Sequence, residues 1–168
     1  TTLTGAQEVP PSGSPGIGSA LVTFDTVTNL LTLNVSFSGL VSPTIASHIH
    51  CCTLPGANAM VATQVPSFAG FPLGVTTGTY LQTFDMSLAS SYNPAFITAQ
   101  GGTVAQAQAA FVAGLISGQT YLNIHTSQFP GGEIRGQLQA VPEPTTMLLL
   151  ASGLFGVAGA IRKGRRRG

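Results

Sequence analysis

The sequence has very few charged residues, and this shortage excludes several classes of protein. Only 7% of its 168 residues are Asp, Glu, Lys or Arg. Residues 1–139 carry four carboxylates and one arginine, a net charge of −3, whereas residues 140–168 carry five basic residues and one glutamate, a net charge of +4. Without a basic patch before residue 140, the chain has nothing to engage phosphates there. We therefore expect no nucleic-acid partner.

Residues that usually carry catalysis are equally scarce. The chain has two cysteines and three histidines. No Gly-rich phosphate loop leads from a strand into a helix, and no Ser/His/Asp signature is present. The sequence therefore gives no argument for an enzyme, and we predict no catalytic residue.

What the sequence does contain is alternation of apolar and polar residues with a period of two. That period, in runs rich in Val, Thr, Ile and Phe, is typical of β-strands with one buried face. Frequent Gly and Pro punctuate the runs, so an all-β sandwich or barrel is expected. The predicted strands are Leu3–Val9, Ser19–Asp25, Leu30–Ser38, Ile45–Cys52, Val75–Met86, Tyr121–His125 and Glu133–Leu138.

One stretch, Thr103–Gly114, favours a short helix instead. Thr103 can cap its first turn, and Gly114 or Gly118 can end it. The apolar residues that recur at helical spacing are Val104, Ala107, Phe111 and Leu115.

The last two predicted strands form a hairpin that concentrates polar chemistry. Pro130-Gly131-Gly132 breaks the alternation and predicts the turn between them. Glu133 and Arg135 share a face of the second strand, and we expect them to form an ion pair at the edge of the sandwich.

All three histidines are candidates for a metal site. His48 and His50 are separated by one residue, so on a strand both imidazoles leave the same face roughly 7 Å apart. His125, from another strand, would complete a three-imidazole site for copper or zinc if the ring nitrogens converge to within about 3–4 Å. Alternatively, the rings hydrogen-bond in a polar network with Asn123 and the charged side chains of the hairpin. Both interpretations stay open.

The two cysteines, Cys51 and Cys52, are adjacent. Strand alternation would place Cys52 on the face of His48 and His50, which would allow a mixed Cys/His site for Cu(I). A strained bridge between the neighbours, or burial of at least one thiol, is the other interpretation.

Composition changes abruptly after Gln139. Val141-Pro142-Glu143-Pro144 is a stiff linker, and Thr145–Ile161 is then uncharged and apolar for about 17 residues, near the lower limit for spanning a bilayer. A basic cluster follows at once, which by the positive-inside rule places the C-terminus in the cytoplasm and the β domain outside. We expect a separate C-terminal transmembrane helix. The chain opens on Thr1 rather than Met, which would fit the loss of a secretory signal.

Four motifs in the first part of the chain resemble the CHRD domain, a module named from chordin and widespread in bacterial secreted proteins. The resemblance covers Leu3 to Leu138. The motifs are Leu3-Thr4-Gly5-Ala6-Gln7-Glu8-Val9-Pro10-Pro11, Ser47-His48-Ile49-His50, Tyr121-Leu122-Asn123-Ile124-His125-Thr126 and Pro130-Gly131-Gly132-Glu133-Ile134-Arg135-Gly136-Gln137.

This resemblance implies an immunoglobulin-like, Greek-key β-sandwich distantly similar to Cu/Zn superoxide dismutase. His48-Ile49-His50 is similar to the His-Val-His copper strand of that enzyme, and His125 to its late copper ligand. Because the chain has only three histidines, the bridging and zinc histidines are absent, and dismutation by the same two-metal arrangement is not expected.

The C-terminal part resembles a PEP-CTERM sorting signal. The resemblance implies processing by exosortase, a membrane cysteine peptidase, in bacteria that export exopolysaccharide. It implies that Pro142, Glu143 and Pro144 are recognised, and that the apolar helix and the basic end form a transient anchor in the inner membrane. The basic residues are Arg162, Lys163, Arg165, Arg166 and Arg167.

Together these observations predict two parts with different roles. Residues 1–139 form a CHRD-like β-sandwich, and residues 140–168 form the sorting signal. The expected function is a non-catalytic binding or structural module, exported to the cell surface or extracellular matrix, with exosortase, the membrane and exopolysaccharide as partners. The alternative is a copper- or zinc-binding protein, similar to superoxide dismutase, that uses His48, His50 and His125.

Overall fold

The computed structural model describes residues 1–141, and these residues are mostly β. The predictions for Pro142 onward lie outside the described range. Between Thr1 and Val141, no helix is long and apolar enough to cross a bilayer. The strands are β1 (Thr2–Thr4), β2 (Ile17–Asp25), β3 (Leu30–Ser38), β4 (Thr44–Cys51), β5 (Met60–Val61), β6 (Gly78–Asp85), β7 (Thr120–Thr126) and β8 (Ile134–Leu138), and the helices are α1 (Pro94–Ala99) and α2 (Val104–Ile116).

All eight strands belong to one curled antiparallel sheet. Their order is β5-β4-β7-β8-β1-β2-β3-β6. The short strand β1 joins the two halves: it pairs with β2 over three residues but with β8 only through Thr4 and Arg135. The sheet therefore consists of a β5-β4-β7-β8 half and a β2-β3-β6 half, a layout compatible with the predicted β-sandwich.

Both halves turn an apolar face toward one core. Leu31, Leu33, Val35 and Phe37 of β3 are all buried, and the residues between them are exposed or half-buried, as the period of two predicts. Ile49, Leu122, Ile124 and Ile134 from the other half belong to the same cluster. Each of these side chains contributes about 1.5–3 kcal/mol by leaving water.

The prediction of one helix is partly wrong, because α1 precedes α2. Asn93 caps α1 by accepting from the Ala95 N–H, and Pro94 occupies its first position, where the missing N–H costs nothing. The α2 prediction is confirmed: the Thr103 side chain accepts from the Gln106 N–H, and the helix ends two residues before Gly118, whose φ is +68°. Ala107 and Phe111 on the predicted face are fully buried.

Four strand predictions also need correction. The strand predicted to begin at Val75 begins at Gly78. The first strand stops at Thr4, because Gly5–Gln7 forms a 3₁₀ turn. β8 begins at Ile134, so Glu133 lies before the strand. The two-residue strand β5 is too short to show a period, and with it residues 1–141 contain eight strands rather than the six or seven predicted.

Candidate metal centre

The three histidines share one face of the β4–β7 ladder, opposite the hydrophobic core. In the register, His48 opposes Asn123, His50 opposes Tyr121 and Ala46 opposes His125. A bulge between Thr44 and Ala46 sets two residues of β4 against one of β7. The bulge shifts the register, and so determines which residues of β4 lie on the same face as His125.

This polar face is covered, contrary to the expectation of strands with only one buried face. All seven residues of β7 are buried. The exposed fractions of His48, His50 and His125 are 6%, 8% and 7%. The imidazoles therefore lie beneath the loops that carry Ala59, Pro66 and Pro130, each of which contacts one ring.

The ring nitrogens of the three histidines lie close together. One nitrogen from each histidine lies within 4.8 Å of the other two. The closest pair, His48 Nδ1 and His125 Nε2, is 3.3 Å apart. That pair meets the predicted separation of about 3–4 Å for nitrogens about 2.0–2.1 Å from a shared ion, and the wider separations extend somewhat beyond it.

Backbone carbonyls determine which nitrogen of each ring carries the proton. His48 Nε2 lies 2.7 Å from the Pro66 oxygen, His50 Nδ1 lies 2.8 Å from the Ala59 oxygen, and His125 Nδ1 lies 2.9 Å from the Pro130 oxygen. A carbonyl can only accept, so each of these nitrogens is the donor N–H of a neutral ring. The other nitrogens, His48 Nδ1, His50 Nε2 and His125 Nε2, keep their lone pairs.

In these tautomers none of the three lone pairs has a donor among the described residues. His50 Nε2 is buried and has no hydrogen-bond partner among residues 1–141. In the neutral tautomers set by the carbonyls, the 3.3 Å contact between His48 and His125 brings together two acceptors. Buried polar atoms without partners are rare in native structures, and a cation between the nitrogens would satisfy all three.

A proton does not supply that cation at neutral pH. Burial, partly opposed by the carbonyl hydrogen bonds, lowers the pKa of His50 and of His125 to about 4. Burial also lowers the pKa of His48. The three rings are therefore neutral at pH 7, the form in which imidazole binds a metal ion.

The donor set fits copper or zinc. Three neutral imidazoles are ligands that both ions accept, and a carbonyl on the second nitrogen of each ring is the usual means of orienting a ligating histidine. Tyr121 supports one side of the site, since its ring stacks on His50 at 4.7 Å between centroids and 7° between planes.

A second polar cluster borders the histidines, and it includes a residue that the sequence reasoning missed. Glu8 is 6% exposed and accepts a short hydrogen bond from Asn123 Nδ2. Its carboxylate lies 3.9 Å from Arg135 Nε. Burial raises the pKa of Glu8 to about 7, although Arg135 and Asn123 oppose the change. The Gln7-Glu8-Val9 motif was visible in the sequence, but nothing there indicated that Glu8 would meet Arg135.

The predicted ion pair between Glu133 and Arg135 is wrong. Arg135 pairs with Glu8 instead. The Glu133 carboxylate accepts from Ser14 Oγ at 2.6 Å, from the Val41 N–H at 2.7 Å and from Thr126 Oγ1 at 2.6 Å. Glu133 precedes β8, so the strand alternation that suggested a shared face does not apply to it.

The cysteines are not ligands. Cys51 and Cys52 form a disulfide, so neither presents the thiolate that a metal would bind. The expectation that Cys52 lies on the histidine face is also wrong. β4 ends at Cys51, and both sulfurs approach the Ala110 carbonyl of α2, at 3.9 Å and 3.5 Å.

Comparison with known families matches the two parts of the chain separately. Residues 1–138 match the family described as CHRD domain. Residues 140–167 match the family described as PEP-CTERM protein-sorting motif. These matches confirm both resemblances. Comparison with curated proteins and with solved structures gave no match.

Proposed function

The chain belongs to the CHRD domain family and carries a PEP-CTERM sorting motif, and we propose that its β domain binds a copper or zinc ion through His48, His50 and His125. The sorting motif marks an exosortase-sorted extracellular protein. The proposed role is binding rather than catalysis. Its support is that each of the three imidazoles is less than a tenth exposed, which restricts access of a substrate to an ion held between them.

One observation carries the metal proposal. One ring nitrogen from each of His48, His50 and His125 lies within 4.8 Å of the other two, and the carbonyl hydrogen bonds leave one nitrogen of each ring with a free lone pair. Once bound, the ion would supply the positive charge that these acceptors lack. The two halves of the curled antiparallel sheet share one core, which supports the finer proposal of a Greek-key sandwich, and the histidines on β4 and β7 support its similarity to Cu/Zn superoxide dismutase.

Metal analysis of the purified full chain in mild detergent tests the proposal. We expect about one equivalent of copper or zinc after loading and dialysis, and loss of that ion in His48→Ala, His50→Ala and His125→Ala. Ser47→Ala is the matched control. It lies beside His48 on β4 but donates to the Asn123 carbonyl, so its loss removes a buried hydrogen bond and no ligand. Retention of metal by the histidine variants, or no metal in the parent chain, would refute the proposal.

For the C-terminal part we propose transient anchoring in the inner membrane, followed by release to the cell surface or medium. Pro142, Glu143 and Pro144 would be recognised, and the basic residues after Ile161 would hold the end of the helix in the cytoplasm. Glu143→Ala should leave the protein in the membrane fraction of the producing cell. Unchanged release into the medium would contradict this assignment.

A second candidate function is adhesion to neutral exopolysaccharide, and the outer face of the β2-β3-β6 half favours it. This face carries hydroxyl ladders, with Ser19 and Ser36 oxygens 2.9 Å apart and Thr32 and Thr83 oxygens 2.9 Å apart. Leu21 and Leu81, which are 64% and 70% exposed, flank Asn34 between the ladders. Hydroxyl and apolar groups make up the middle of this face, and its two carboxylates, Asp25 and Asp85, lie together at the end beside Leu30, so the middle suits a neutral polymer.

Co-sedimentation with the neutral exopolysaccharide of the producing bacterium tests this second candidate. Asn34→Lys places a charge at the centre of the face and should reduce binding. Ile45→Lys is the control, because Ile45 is 44% exposed on β4, away from that face. Equal binding by both variants would contradict the assignment.

A further inference from the structure

His50 depends on a loop for its orientation, unlike His125. The carbonyl that fixes His125 belongs to Pro130, in the turn of the same hairpin. The carbonyl that fixes His50 belongs to Ala59, at the end of the irregular segment 52–59 between β4 and β5. The free nitrogen of His50 is therefore presented correctly only while that segment keeps its position.

Tyr121 holds Ala59 directly. Its hydroxyl oxygen accepts from the Ala59 N–H at 3.1 Å. Its ring stacks on the imidazole of His50 at 4.7 Å. Tyr121 therefore contacts both the imidazole of His50 and Ala59, the residue whose carbonyl orients that imidazole.

Arg135 holds the same segment and Tyr121 together. Its Nη1 donates to Asn58 Oδ1 at 2.9 Å and to the Ala57 carbonyl at 3.4 Å. Its Cζ lies 4.4 Å above the centroid of the Tyr121 ring, a cation–π contact. Arg135 is 3% exposed, so these contacts form out of water, where they are stronger.

We propose that Arg135 is the positioning residue of the metal site. Through Asn58 and Tyr121 it keeps the Ala59 carbonyl on His50 Nδ1, and so presents His50 Nε2 to the ion. The functional meaning of this inference rests on the proposed metal site. A lysine cannot replace the arginine, because the contacts need a planar group that donates in two directions while it stacks on a ring.

The buried charge of Arg135 requires a careful choice of variant. Removing the guanidinium alone would leave Glu8 without its ionic partner, 3.9 Å away. Arg135→Met combined with Glu8→Gln removes both members of the pair and keeps an acceptor for Asn123. Asn58→Ala keeps the pair and removes the link from Arg135 to the loop, together with a hydrogen bond from Asn58 Nδ2 to the Val9 carbonyl at 2.9 Å. It is the second variant if the first does not fold.

Two measurements on the full chain in detergent test the inference. In the metal-free state, ¹⁵N shifts of the imidazoles should show His50 protonated at Nδ1 in the parent chain and a mixture of tautomers in R135M/E8Q, with His125 unchanged. The affinity of the variant for copper or zinc should fall roughly 10–100-fold, as it does when other residues that orient a metal ligand without binding the metal are replaced. Asn58→Ala should change the tautomer and the affinity in the same direction but less. Arg135→Lys should not keep the tautomer and affinity of the parent chain.

Tyr92→Phe is the control for a general loss of stability. It removes one buried hydrogen bond, 2.9 Å long, to the Met86 carbonyl, and should leave the tautomer of His50 unchanged. An unchanged tautomer and affinity in R135M/E8Q, or in Asn58→Ala if only that variant folds, would overturn the inference. If the tautomer changes but the parent chain binds no metal, the metal proposal fails while the positioning role stands.

Discussion

Acid should destabilise the metal-free protein, and Glu8→Gln should make that loss steeper. The pKa of His50 and of His125 falls from 6.5 to about 4 on folding because both rings are buried, so their contribution to stability is lost as pH falls from 6.5 toward 4. The pKa of Glu8 changes in the opposite direction, from 4.5 to about 7, also through burial. Its contribution is fully present below pH 4.5 and is lost as pH rises toward 7.

These opposing changes determine the slope between pH 4.5 and 6.5. Near the middle of this range the unfolded chain binds almost two more protons through the two histidines, and the folded chain binds almost one more through Glu8. The difference of one proton corresponds to a loss of about 1.4 kcal/mol per pH unit as the solution is acidified. In Glu8→Gln the difference approaches two protons near the middle of the range, a slope of up to about 2.7 kcal/mol per unit. The lowered pKa of His48 acts in the same direction as that of the other two rings.

Urea denaturation at pH values from 4.5 to 6.5, with a chelator present, measures both slopes. The glutamine side chain that Glu8→Gln introduces can still accept from Asn123, so the variant changes the charge and keeps the contact. Adding His50→Gln to Glu8→Gln is the control, and it should return the slope toward that of the parent chain. If Glu8→Gln leaves the slope unchanged or makes it shallower, the assignment of Glu8 as a proton acceptor in the folded state is refuted.

Three further predictions concern the packing around the site. Gly114→Ala should destabilise the protein by up to about 2 kcal/mol in urea denaturation. Alanine gains about 1 kcal/mol in a helix, but its Cβ would lie 2.6 Å from Cys51 Sγ and overpacking costs about 1–3 kcal/mol. Replacing both Cys51 and Cys52 by Ala should leave the metal content unchanged in elemental analysis, because the site uses only ring nitrogens. Thr126→Val should cost about 1–3 kcal/mol by urea denaturation, because it removes the hydroxyl that donates to Glu133 Oε2 at 2.6 Å.

Local patterns predicted the parts of the fold that depend on neighbours in sequence. The strand Leu30–Ser38 has the predicted bounds, because its residues alternate between the buried core and the solvent-facing side. Thr103 caps α2 through a residue three positions away, so the capping rule alone was sufficient. The Asn93-Pro94 start of α1 followed an equally local rule and was overlooked, although its signal was present.

Contacts between distant residues explain what the sequence did not predict. The convergence of three histidines followed from their scarcity and from strand periodicity. Their tautomers depend on the carbonyls of Ala59 and Pro66, which belong to irregular loops and have no signature in side-chain type. The pairing of Arg135 with Glu8 joins the two ends of the domain through β1 and β8, and no local rule indicates such a contact.

The covered polar face gives the most general reason to expect an ion in this domain. Burying imidazoles costs free energy unless each polar atom finds a partner, and the loops over β4 and β7 provide three carbonyls for three N–H groups. The same hydrogen bonds leave the other nitrogen of each ring as an acceptor. Protonation would satisfy them only near or below pH 4 for His50 and His125. At neutral pH the proposed metal ion would satisfy these acceptors, because one nitrogen of each ring lies within 4.8 Å of the other two.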